Sequence, residues 1–119
     1  MEIVLKGRGY RITDQIRAEA DHKFGKLSRL EPRAVRVEVE IISETSHRQI
    51  GAKRIEGCLI APRKTFRAHA ENVEVRPALD EVAGRLERQV RDHHGKMRVN
   101  KKRAGNRVES AAEATRELD

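Results

Sequence analysis

Apolar and polar positions follow two different periods along the chain. Residues 35–42 alternate: Val35, Val37, Val39 and Ile41 fall on one face, Arg36, Glu38 and Glu40 on the other. That period of two predicts a half-buried strand. Between residues 12 and 30 the period lengthens. Ile12, Ile16, Ala20, Phe24 and Leu27 recur at spacings of four, four, four and three, and Leu30 extends the stripe. This predicts one amphipathic helix, with Thr13 placed to cap it, Asp14 in its first turn and Glu31-Pro32 ending it. Ahead of it, residues 2–6 read as a short strand closed by Gly7-Arg8-Gly9.

The stretch 43–52 is polar and predicts a hairpin loop. Residues 53–61 and 65–73 predict two further strands around the turn Pro62-Arg63-Lys64, with Phe66, Ala68 and Ala70 facing in and Arg67, His69 and Glu71 facing out. Gly57 inside a strand predicts a bulge or a close helix contact. A second helix starts near Val75, with Pro77 in its first turn. Its stripe is Val75, Leu79, Val82, Leu86, Val90 and Met97, and Gly95 weakens its last turn. Beyond Val99, Val108 and Leu118 are the only large apolar residues, so 99–119 reads as a disordered charged tail, basic first and acidic later.

The expected order is β-α-β-β-β-α, an α+β fold with a four-stranded sheet. Each helix has a single apolar stripe, so both must pack on one sheet face. The first crossover should join parallel strands with right-handed sense, and the last three strands should be antiparallel. The expected organisation is a folded domain over 1–98 and the tail over 99–119.

Composition narrows the chemistry. The 119 residues include no Trp, one Tyr and two Phe, so the core must come from Val, Ile, Leu and Ala. Lys and Arg number 26 against 19 Asp and Glu, a net charge of +7. An excess of this size favours an anionic partner, nucleic acid or an acidic membrane. Both apolar stripes are required by the core, which leaves neither helix a face to insert and argues against the membrane. The single Cys58 excludes an internal disulfide framework and a cysteine zinc cluster, and reads as a small hydrophobe in a strand. No signal peptide or spanning segment is recognisable, so the chain is expected to stay in a reducing cytoplasm.

Catalytic motifs are missing. His22, His47, His69, His93 and His94 show no zinc-ligand spacing with a third ligand, and Gly7-Arg8-Gly9 is too short to cradle a phosphate. Glu81 and Arg85, Glu87 and Arg91, and Arg88 and Asp92 each stand four apart, the spacing of surface ion pairs. The expectation is a protein that is not an enzyme and uses no metal or cofactor. The basic residues carry more information. Lys23, Lys26 and Arg29 recur every three residues on the first helix, and Arg85, Arg88 and Arg91 do so on the second. A step of three turns back by about 60°, so each row slants from beside the apolar stripe to the outer face and can follow a phosphate backbone. With almost no aromatics for stacking, recognition by shape and phosphate is expected over base readout.

Three stretches carry a family resemblance. IVLKGRGYRITDQIRAEADHKFGKLSRL at residues 3–30 resembles the opening of the ribosome hibernation-promoting factor and ribosome-associated translation inhibitor A family: a strand, a Gly-Arg turn, a Thr-Asp helix start, then Lys23, Phe24, Gly25, Lys26 and Leu27. TFRAHA at 65–70 resembles its last strand. RPALDEVAGRLERQVRDHHGKM at 76–97 resembles its second helix, with Ala78-Leu79-Asp80 ahead of Leu86-Glu87-Arg88-Gln89. The resemblance covers roughly residues 1–98 and the order is kept. It implies a factor that binds the small ribosomal subunit between head and body, near the decoding region, and blocks the sites of messenger and transfer RNA in stress or stationary phase. Partners would be the small subunit, its ribosomal RNA and the whole ribosome; away from it the chain is expected to be a monomer. By position, Lys23, Lys26, Arg85 and Arg88 carry over as RNA contacts. Arg29, Arg91 and Arg8 join them on charge and placement. Two alternatives remain open: a general double-stranded-RNA-binding module, whose α-β-β-β-α order lacks the leading strand at Ile3 to Leu5, and a protein-only adaptor.

Overall fold

The computed structural model describes residues 1–43 and 51–106, with side chains described through residue 97. The element order is β1 (Glu2–Arg8), α1 (Asp14–Gly25), α2 (Leu27–Leu30), β2 (Arg36–Ser43), β3 (Lys53–Ala61), β4 (Lys64–Asn72) and α3 (Val75–Asn106). The sheet runs β1-β2-β3-β4, with β1 parallel to β2 and the other two pairings antiparallel. The chain divides into two compact units, Met1–Glu87 and Arg88–Asp119. The sheet, α1, α2 and the first half of α3 lie in the first.

Register explains the single core of that unit. It aligns Ile3, Val37, Leu59 and Phe66 across the four strands, then Leu5, Val39, Gly57 and Ala68, then Gly7, Ile41, Ile55 and Ala70. Because strand side chains alternate, these three rows share one face. Onto that face fold Ile16, Ala20, Phe24 and Leu27 from the first helical segments and Leu79, Val82 and Leu86 from α3, all buried. Both helical layers therefore cover one side of the sheet, as the stripes require. The intervening rows, such as Val4, Glu38, Cys58 and Arg67, form the opposite face.

Gly57 marks the closest approach. A Cβ there would lie 2.6 Å from Val82 Cγ1 and 3.3 Å from Leu86 Cδ1. Its role is thus the helix contact; the ladder runs through it without a bulge. Thr13 caps α1 as expected, its hydroxyl accepting from the Ile16 amide at 3.2 Å.

Several expectations need correction. The first helix is not one helix to Leu30: it breaks at Lys26, and α2 follows as a four-residue segment. The apolar stripe hid the break because Phe24 and Leu27 are buried on either side of it. β1 extends to Arg8, since parallel pairing continues through Gly7 with Ile41 and Arg8 with Ile42. Gly7 permits this because a Cβ would fall 2.0 Å from the Tyr10 carbonyl oxygen. Val35 is 53% exposed, because it precedes β2 and is not in the inward rows. Lys64 belongs to β4, pairing with Ala61, which leaves a two-residue turn. Ala52, assigned to the polar loop, is buried. Met97 is 55% exposed and is no part of the core. Residues 99–106, expected as the start of a disordered tail, are helical: α3 runs past Gly95 to Asn106. Most of the 43–52 loop, and 107–119 of the tail, lie outside the described residues.

Candidate nucleic-acid interface

The two faces of the first unit differ in how their charges are matched. On the open sheet face, cations pair with carboxylates both along and across strands. Arg8 pairs with Glu40 at 3.5 Å, Arg36 with Glu38 at 2.7 Å, and Arg54 with both Glu56 at 3.0 Å and Glu71 at 2.8 Å. The hydrogen bond from Arg36 holds the Glu38 carboxyl below the usual carboxylate range, and the same bond raises Arg36. The hydrogen bond that Arg54 donates to Glu56 raises Arg54 in the same way. This face is concave, with Lys6, Glu40, Glu56 and His69 along one row of its floor. A surface so closely neutralised has little net field with which to attract an anion.

The helical side is different, and it sorts the seven expected RNA contacts. Lys23, third from the end of α1, is pinned: its ammonium pairs with Asp80 of α3, and its side chain is only 18% exposed. One turn earlier Glu19 accepts from Arg76 at 2.9 Å. These two pairs stitch α1 to the start of α3 along a shared groove. Arg85 is also tied down, donating to the His69 carbonyl at 2.8 Å and to Glu81 at 3.3 Å, and so clamps α3 to β4. Arg8 stands on the opposite, sheet side, in the row of Ile42 and Arg54. Lys26 sits at the break between α1 and α2, and Arg29 lies within α2. Both are exposed and form no ion pair among the described residues. In the second unit Arg88 is likewise exposed and unpaired among those residues, whereas Arg91 is exposed but has an interaction of its own.

Sequence reasoning missed the stitching role of Glu19, Arg76 and Asp80. Lys23 and Asp80 stand 57 positions apart, beyond any helical spacing rule, and the Glu19–Arg76 pair is equally distant. Among the described residues no group of three or more His, Cys, Asp or Glu could hold a metal ion, and no helix is long and apolar enough to cross a membrane.

Residues 3–98 match the model of the Sigma 54 modulation protein / S30EA ribosomal protein family. The chain belongs to that family. It is the family that the hibernation-factor motifs resemble, and it comprises ribosome-associated factors that are not enzymes. The structure is similar to a ribosomal subunit interface protein from Coxiella burnetii, at a TM-score of 0.70 and 18% identity over 80% of this chain and 99% of that one. It is also similar to the N-terminal domain of Thermus thermophilus Protein Y, at 0.67 and 29% identity over 78% of this chain and 99% of that one. No curated protein matches. The S30EA fold accounts for β1, the leading strand that a general double-stranded-RNA module lacks.

Proposed function

We propose that this S30EA-family protein docks on ribosomal RNA of the small subunit near the decoding region and inhibits translation by occupying the sites of messenger and transfer RNA. Residues 1–98 are the docking domain. Association with the ribosome follows from the family; the surface is argued from charge. The observation that carries it is the contrast between paired and unpaired cations. The open sheet face neutralises itself, while Lys26, Arg29 and Arg88 have no counter-charge among the described residues. Exposed, unpaired cations on helices can neutralise phosphates without first breaking an internal ion pair. Lys23 and Arg85 act one step back, holding the helices that present the others. The protein works in the cytoplasm, as a monomer until it reaches the ribosome, as an idling factor in stress or stationary phase.

Occupancy is tested by competition. Small subunits loaded with labelled transfer RNA and messenger should lose the label as the protein is added, with half-displacement near the protein's own binding constant. Full occupancy by the protein with the label retained would show that it docks elsewhere.

A further inference from the structure

Where the positive charge sits along the chain is informative. Residues 1–87 carry 17 Lys and Arg against 14 Asp and Glu, close to balance. Residues 88–106 carry seven against one, and 107–119 carry two against four. Nearly all of the net charge of +7 is thus concentrated in the second part of α3. Within it, residues 95–106 hold Lys96, Arg98, Lys101, Lys102 and Arg103 and no acidic residue.

The described start of this segment adds nothing to the core. Val90 is the last buried apolar residue of α3 among those described, and Met97 is largely exposed. A Cβ on Gly95 would meet nothing within 4 Å. Met97 and Val99 are the only large apolar residues in 95–106. Like charges one turn apart, as at positions 98 and 102, disfavour a helix. A favourable interaction with the helix dipole covers only the last turn. The family match ends at residue 98, whereas the helix ends at Asn106. No acidic residue within 95–106 matches this charge, which marks the segment as an attractor of anions. Two large apolar residues give no amphipathic face for a lipid surface.

We propose that residues 95–106 of α3 are a second RNA-binding element, a basic helical arm of about 18 Å that lies along the phosphate backbone and adds contacts to those of the docking domain. The arm reads no sequence, since it has no aromatic residue and its charges recognise phosphate alone. The inference rests on the ribosomal RNA reading above. Its source of phosphate is RNA, and a lipid headgroup is the rival.

The test uses the full chain carrying Lys101→Gln, Lys102→Gln and Arg103→Gln together, with wild type and Lys26→Gln beside it. Co-sedimentation with small ribosomal subunits is followed over a salt series. The triple variant should bind more weakly, and its log–log salt slope should be shallower by roughly 2.1–2.7, since each phosphate left without its cation lowers the slope by roughly 0.7–0.9. Its melting temperature should match wild type, as the replaced positions lie beyond the family domain. Unchanged slope and affinity in the triple variant, with Lys26→Gln weakened, would overturn the arm and leave the domain reading standing. Wild type that fails to sediment with subunits would overturn both. Vesicles of phosphatidylglycerol should not capture the wild type at concentrations that saturate subunits; capture there, abolished in the triple variant, would reassign the arm to membranes.

Discussion

At the residue scale, two glycines show how little the residue type says without its surroundings. Gly57 lies under α3 where a methyl group would be 2.6 Å from a Val82 methyl, and Val82 is itself fully buried and cannot swing away. Gly84 is a helix-interior position where a Cβ meets nothing within 4 Å. Gly57→Ala should therefore destabilise the domain by about 1–3 kcal/mol, the usual consequence of overpacking. Gly84→Ala should stabilise it by about 0.5–1 kcal/mol, through lower backbone entropy in the unfolded chain. Denaturant melts of the two variants check both signs; a neutral Gly57→Ala would mean that α3 can lift off the sheet without penalty. Only half of this contrast was legible in the sequence. Gly57 stood out inside an alternating strand, but its partner could not be named until register put it beside Val82 and Leu86.

At the element scale, periodicity delivered the strands and stripes and failed where contacts are distant. β3 falls at 53–61 as expected, because alternation and flanking turns are local signals. The break at Lys26 leaves no mark on the period, because burial resumes at Leu27 in step with the stripe. The helical basic rows were legible, but not which of their residues are paired. Lys23 and Lys26 look equivalent in the sequence, yet Lys23 pairs with Asp80 and Lys26 is exposed. Lys23→Gln should lower stability by roughly 0.2–1 kcal/mol, as expected for a pair whose carboxylate side is 65% exposed, and should leave the salt slope of ribosome binding unchanged. Lys26→Gln should do the reverse. Thermal melts and salt-dependent sedimentation of the two single variants separate positioning from contact. Equal effects on the slope would return Lys23 to the RNA surface.

At the scale of the whole molecule, the chain separates stability from recognition. The apolar rows and the stitched helices make a domain whose sheet face carries paired charges, while Lys26, Arg29 and Arg88 are exposed and unmatched among the described residues. The net charge alone pointed to an anionic partner but not to a surface; membership of the S30EA family supplies the ribosome, and the pairing of charges is the ground for the surface proposed here. The claim that phosphate contacts from helical cations drive docking is tested most directly by the double variant Lys26→Gln, Arg88→Gln, which removes one unpaired cation from each unit. Its binding to small ribosomal subunits is measured across a salt series, with its melting temperature as the control. The account predicts an unchanged melting temperature, weaker binding, and a log–log slope shallower by roughly 1.4–1.8, the equivalent of two phosphates. A folded double variant that binds with wild-type affinity and wild-type slope would contradict it.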